Sequence, residues 1–268
     1  MQFFFRTDAS IQIGTGHVMR CLNLASELKI FNSEIYFIVR SLDGNLNNRI
    51  EDLGYKVFLL EKLSEKKNEN INYNKITHEK WLSVSQIEDA KQSIEILNKF
   101  NPAWLIIDHY SIGSEWESYV KPYVKNIMVI DDLANRKHSC DLILDHNWYE
   151  NKEKRYKDLI PKKCISLMGP KYALLRPEFS RSKKDFADYN GLVKKIFIFF
   201  GGSDEYNLTC LAINALSVPE LLFLEINVVI SSINKNHDII AEQIKNRSNS
   251  NLFVQTSKIS SIMSSSQL

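Results

Sequence analysis

Short apolar runs alternating with amphipathic stretches set the reading of this chain. Residues 3–5 (FFF) predict a first strand, after which Arg6, Thr7, Asp8 and Ser10 turn the pattern polar. From Val18 the apolar positions Val18, Cys21, Leu22, Ala25 and Leu28 recur every three or four residues, one face of a helix. Residues 34–39 and 56–60 predict two more strands, with a short helix over 46–53 stopped by Gly54. Strand, helix, strand, helix, strand is the rhythm of a parallel sheet. Residues 61–80 are polar and read as a surface excursion. Residues 81–100 predict a long helix striped by Ile87, Ala90, Ile94 and Leu97 and ended by Pro102. Strands follow at 103–107, 127–130 and 142–144, with a helix at 116–120.

A second unit is predicted from about residue 190. The charged stretch 176–192 reads as a linker. Residues 196–200 (IFIFF) predict a buried strand running into Gly201-Gly202-Ser203-Asp204 and then a helix with Leu208, Leu211 and Ala215 on its apolar face. Further strands are expected at 225–230 and 252–254, and helices at 237–244 and 259–263. The expected architecture is α/β, two Rossmann-like domains over 1–178 and 190–268. With only these strands before Leu268, the second domain reads as truncated at its C-terminus and its sheet edge as open.

Composition narrows the class. The chain has 268 residues, 44% hydrophobic and 25% charged, ordinary for a globular protein. A net charge of +2 implies no broad basic surface for nucleic acid. No apolar run approaches the roughly 20 residues of a membrane span. Cys21, Cys140, Cys164 and Cys210 show neither metal nor redox spacing and read as reduced thiols. The lack of a secretory leader and these thiols point to the cytoplasm.

The sharpest chemistry lies in the first strand–loop–helix corner. Gly14-Thr15-Gly16 lets backbone approach a ligand closely, and His17 follows in the first helical turn. The positive end of a helix dipole favours an anion and disfavours imidazolium, so a neutral, proton-accepting His17 is expected. Arg20 projects on roughly the same side. A phosphorylated sugar beside a base fits this pattern; so does a plain structural corner whose histidine caps the helix. Polar residues also follow other strands: Asp108 with His109, Asp131 with Asp132, and Asp145 with Asn147. Together with Asp8 they would share one edge of a parallel sheet, where such folds bind ligands. They could hold sugar groups, orient His17, or only cap loops.

With these residues in view, the chain resembles the UDP-2,4-diacetamido-2,4,6-trideoxy-β-L-altropyranose hydrolases of pseudaminic acid biosynthesis, relatives of two-domain, GT-B-like inverting glycosyltransferases. The matching blocks are RTDASIQIGTGHVMRCLNLA at 6–25, WLSVSQIEDA at 81–90, IIDHYSIGSEWE at 106–117, IDDLANRKHSCDLILDHN at 130–147, MGPKYALLRPEF at 168–179 and FFGGSD at 199–204. The resemblance implies that His17 is the general base. It also implies that Gly14 and Gly16 form a first glycine loop, and Gly201, Gly202 and Ser203 a second loop near the diphosphate. Asp8, Arg20, Asp108, Tyr110, Asn147, Tyr172 and Arg176 complete the expected substrate set. The implied partner is a small UDP-sugar, with no metal, no cofactor, no nucleic acid and no membrane, in a pathway that feeds flagellin glycosylation. The resemblance also implies a further loop and helix beyond Leu268. A UDP-sugar-dependent glycosyltransferase of similar fold and an inactive truncated member remain the alternative readings.

Overall fold

A computed structural model of the chain describes residues 1–61, 78–182, 191–201 and 204–268. The polar stretch expected as an excursion, part of the expected linker, and both Gly202 and Ser203 therefore lie mostly or wholly outside the described residues. The chain divides into two compact units, Met1–Leu175 and Arg176–Leu268.

The first unit alternates strands and helices: β1 (Gln2–Thr7), α1 (Gly16–Ile30), β2 (Glu34–Arg40), α2 (Asn47–Asp52), β3 (Lys56–Leu60), α3 (Gln86–Leu97), β4 (Trp104–Asp108), α4 (Ser114–Val120), β5 (Asn126–Ile130), β6 (Leu142–Asp145), α5 (Lys152–Arg155) and β7 (Ile165–Met168). Its strands form one seven-stranded parallel sheet in the order β3-β2-β1-β4-β5-β6-β7. The chain winds outward from β1 to β3, then crosses to β4 and winds the other way. The β1–β4 junction is thus a topological switch point, the place where open α/β sheets take ligands.

Helices cover both faces, which is why the strands read as continuous apolar runs. Phe3 and Phe5 pack with Val18, Cys21, Leu22 and Ala25 of α1 on one face. Phe4 packs with Ala90 and Leu97 of α3 and with Trp116 and Val120 of α4 on the other. Arg6 and Thr7, expected as the start of a polar loop, instead belong to β1 and are fully buried. Arg6 faces α3, where Asp89 takes its Nε and Nη2 at 3.0 and 2.7 Å. Asp89 also accepts from Arg40 Nη2 at 2.7 Å and from the Trp116 indole at 2.9 Å.

The helix expected over 81–100 begins only at Gln86. Ser83 takes a left-handed φ of 64°, and the Ser85 hydroxyl caps α3 by accepting the Glu88 N–H at 3.2 Å. A serine offers the backbone a competing hydrogen bond, so the helix starts after it. Trp81 is left in a separate 3-10 turn, Glu79–Leu82. The strand β7 and the short α5 carry no strong apolar run and were not expected; Ile165 is largely exposed at the sheet's edge.

The second unit holds α6 (Pro177–Ser182), β8 (Lys195–Ile198), α7 (Leu208–Ala215), β9 (Glu225–Ile230), α8 (His237–Lys245), β10 (Ser250–Val254) and α9 (Ile259–Ser264). The strands pair in parallel in the order β10-β9-β8. Part of the expected linker is thus the helix α6. The expected apolar face of α7 is also turned around: Thr209, Cys210 and Ile213 are buried, whereas Leu208 and Leu211 are exposed. The edge expected to lie open is partly paired. Phe197 N–H donates to the Leu268 carbonyl at 2.6 Å, and Gln267 N–H to that of Lys195 at 3.0 Å.

Candidate active site

The switch point brings Thr7 of β1 into register with Asp108 of β4. Just beyond Thr7 the chain makes a tight loop. Gly14 N–H donates to the Ser10 carbonyl at 2.8 Å, and the Ser10 hydroxyl accepts from Gln12 and Ile13 N–H at 3.2 and 3.0 Å. Gly14 has a φ of +77°, which demands glycine. Gly16 has no such demand, and a Cβ built there would meet nothing within 4 Å. Its open face suits close approach of a ligand. The two glycines should therefore separate by experiment. Gly14→Ala is expected to destabilise the protein by about 1 kcal/mol or more. Gly16→Ala should leave the urea midpoint near wild type while weakening UDP-sugar binding in calorimetry.

Helix α1 starts at this loop with no side-chain cap and no acidic residue in its first turn. Its leading N–H groups and dipole are thus left for an external anion. His17 follows, nearly buried, with Nδ1 2.6 Å from Asp108 Oδ1. Arg20 Nη2 also lies 3.2 Å from this nitrogen, but the shorter carboxylate contact decides the tautomer: a carboxylate only accepts, so the proton is assigned to Nδ1. Nε2 is left without a hydrogen-bond partner among the described residues. Arg20, one turn on, clamps the same carboxylate through Nε at 2.5 Å and Nη2 at 2.6 Å. Its Nη1 reaches Asp132 Oδ2 at 3.3 Å. Burial pushes the Asp108 carboxyl up, but His17 and Arg20 outweigh it and hold it well below the usual carboxylate range.

Tyr110 stands edge-on to His17, ring centroids 4.4 Å apart, and its hydroxyl donates to Asp132 Oδ1 at 2.5 Å. Burial and the Asp132 hydrogen bond push this phenol up, so it stays protonated. Trp81 lies 5.9 Å from Tyr110 in a stacked pair and 6.4 Å from His17. His78 fills the corner, 4.4 Å from Trp81 and 5.3 Å from Tyr110. An imidazole with an aromatic wall and a fixed carboxylate behind it is suited to proton transfer.

The other expected site residues fall in different places. Asp8 is fully buried behind the loop; it pairs with Arg6 at 2.7 Å and His109 Nε2 at 3.3 Å, and accepts Arg40 N–H at 2.7 Å. Asp108 likewise faces inward and serves His17 and Arg20 instead of standing open to a ligand. Arg20's fork is taken up by carboxylates. Asn147 is half-buried just past β6, its N–H on Asp145 Oδ1 at 3.0 Å. Tyr172 packs against the α1 side of the core. Arg176 falls in the second unit, paired with Glu178 at 2.9 Å. Gly201 takes a φ of +81°. The helix expected after the Gly201–Asp204 stretch is α7, which begins at Leu208. The Leu208 and Thr209 N–H groups are already taken by Asp204 at 2.8 and 3.0 Å.

Residues absent from the expected substrate set also reach the site. Asp132 accepts from Tyr110 and Arg20; its place at a strand end was visible, its partners were not. Trp81 and His78 were hidden beside a polar stretch. Arg155 lies on the Tyr149 ring at 3.6 Å, pairs with Asp145 at 2.8 Å and donates to the Asp132 carbonyl. Among the described residues, no cluster of His, Cys, Asp and Glu is disposed to hold a metal ion, and no helix is long and apolar enough to cross a membrane.

The buried carboxylates carry a pH signature. Asp8 and Asp108 have folded pKa values depressed below their unfolded values. Burial opposes the charge at both, and it is overcome by Arg6 and His109 at Asp8 and by His17 and Arg20 at Asp108. Their stabilisation is present above the unfolded carboxylate pKa of about 3.9 and is lost as pH falls through the folded values. Urea midpoints should drop steeply below about pH 4. Asp8→Asn should flatten that drop.

The chain resembles in fold MurG of Acinetobacter baumannii (TM-score 0.54, 8% identity, 99% of this chain and 70% of that one). It also resembles a UDP-GlcNAc 2-epimerase of Neisseria meningitidis solved with UDP-GlcNAc (0.54, 12%, 98% and 74%) and a glycosyltransferase of Rickettsia africae (0.52, 15%, 97% and 69%). The likeness is one of fold, to GT-B glycosyltransferases, through an α/β chain with a seven-stranded parallel sheet. In sequence, the chain is 31% identical over 270 residues to the UDP-2,4-diacetamido-2,4,6-trideoxy-β-L-altropyranose hydrolase of Campylobacter jejuni, covering 99% of this chain and 82% of the relative. The chain belongs to the family of that hydrolase. An uncharacterized protein of Methanocaldococcus jannaschii is 29% identical over 235 residues; the match covers 86% of this chain and 42% of that one. No protein-family model matches the chain.

Proposed function

We propose that the chain hydrolyses UDP-2,4-diacetamido-2,4,6-trideoxy-β-L-altropyranose, releasing UDP, as a cytoplasmic step of pseudaminic acid biosynthesis. The observation that supports this reading most is the 2.6 Å contact between His17 Nδ1 and Asp108. It fixes the ring and leaves Nε2 to accept a proton. In this reading a water molecule gives its proton to Nε2 as its oxygen attacks the anomeric carbon, on the face opposite the nucleotide. The anomeric C–O bond breaks, UDP leaves with the electron pair, and configuration inverts. His17 then returns its proton to solvent. General-base assistance contributes roughly 10²–10⁴-fold. The departing diphosphate would be met by the uncapped start of α1. The Asp108–Arg20–Asp132–Tyr110 chain holds the base in place.

Incubation with the UDP-sugar alone tests the reading. UDP and free sugar should accumulate together without any acceptor, and proton NMR should show the inverted anomer first. If UDP is released only when an acceptor sugar is added, the protein is a transferase. If no UDP is released and calorimetry finds no saturable UDP binding, it is an inactive member.

A further inference from the structure

A cavity of about 360 Å³ has Trp81 in its lining, the same residue that stands 6.4 Å from His17, and the catalytic reading leaves it unused. Its size falls within the roughly 300–1,000 Å³ of small-molecule sites. Its walls come from the loop after β1, the loop after β2 and the turn carrying Trp81, all at the sheet edge that holds His17. The loops are locked together. Ile11 N–H donates to the Asp43 carbonyl at 2.9 Å. Gly44, at φ +79°, lies so close that an added Cβ would come within 2.8 Å of Ile11 Cγ1. This is a preformed wall, and Ile11 stands on it 82% exposed.

The lining is chemically mixed. Ile11, Leu42 and Trp81 are apolar; Ser10, Gln12 and Ser83 are neutral and polar. The two charged residues, Asp43 and Lys80, are of opposite sign. Such a surface suits a neutral group with an apolar tip and an amide stem, and it does not suit a diphosphate. An exposed isoleucine beside a tryptophan would gain from covering by a methyl group.

We propose that this cavity is the subsite for an N-acyl substituent of the glycosyl group, with Trp81 as the residue shared between it and the base. The proposal rests on the hydrolase reading for the identity of the sugar. Trp81 stands against both Tyr110 and His17 and also helps line the cavity. A pyranose beside His17 would therefore reach the cavity with a ring substituent. Selectivity for an acylamino sugar over a plain hexose follows from that placement.

Saturation-transfer NMR with free 2,4-diacetamido-2,4,6-trideoxy-altrose provides the test, with glucose as the control. The acetyl methyl protons should receive saturation from the wild-type protein, and glucose should receive little. Ile11→Asp changes an exposed side chain and should fold normally. It should abolish the acetyl transfer and raise KM for the UDP-sugar about tenfold or more, with a smaller fall in kcat. Trp81→Phe should retain part of the effect and Trp81→Ala little. Absent acetyl saturation with wild type, or unchanged saturation and KM in Ile11→Asp, overturns the proposal. A wild-type protein that releases no UDP yet shows acetyl saturation abolished by Ile11→Asp would refute the hydrolase reading and support the subsite.

Discussion

Replacing His17 with asparagine should abolish UDP release while leaving the fold intact. The loss in kcat is expected to be at least about 10²–10⁴-fold, the usual worth of a positioned general base. An asparagine fills a similar space and can still donate to Asp108, yet it cannot take a proton from water near neutral pH. The fold should tolerate the change because Asp108 keeps its bidentate partner Arg20, so no buried charge is orphaned. Circular dichroism and the urea midpoint should match wild type. Asp108→Asn should lower kcat by a comparable factor through a different route: the amide can donate to Nδ1, which favours the wrong tautomer. If His17 and Asp108 act as a unit, the double variant should be little worse than either single one. A His17→Asn protein that retains near-full turnover would remove the base from the scheme.

What the sequence disclosed depended on how one-sided each signal was. The strands β1, β4, β5 and β9 are buried on both faces, so their apolar runs stood out. Helix α1 showed its face because Val18, Cys21, Leu22 and Ala25 all turn to one side of the sheet. Periodicity places the start of α3 too early because apolar spacing continues through Trp81 and Leu82, whereas Ser83's left-handed backbone and the Ser85 cap settle the boundary. Helix α7 is apolar nearly all round, so periodicity could not tell its buried side from its exposed one. In the site, the strand-end position of Asp108 was legible, but its direction was not. Whether such a carboxylate meets a ligand or a histidine depends on a partner in another element, here 91 residues away. The same holds for Arg6: a charged residue beside a turn reads as loop until its buried partner is known.

That partner sets the second large expected effect, on stability. Asp89→Ala should cost roughly 3–5 kcal/mol, the penalty for breaking a buried ion pair from one side. Asp89 receives two bonds from Arg6, one from Arg40 and one from the Trp116 indole, and all of these side chains are fully buried. Burial opposes the charge on Asp89, yet the two guanidiniums hold it below the usual carboxylate range. Without it, both arginines face apolar surroundings with Asp8 as the nearby acid and the Glu61 carbonyl as a neutral acceptor. Set against a typical stability of about 5–15 kcal/mol, such a loss would leave the protein close to unfolding at growth temperature. Trp116→Phe removes one hydrogen bond and should cost only about 1 kcal/mol. Urea denaturation of the two variants separates charge compensation from packing. The activity consequence is spatial: Asp8 anchors His109, the neighbour of Asp108, and Asp8 is held by Arg6 and by the Arg40 backbone. Asp89→Asn, which keeps the shape and one acceptor oxygen, should therefore fold at low temperature but turn over slowly. That slowness should ease as added UDP-sugar stabilises the folded form, a dependence His17→Asn should lack.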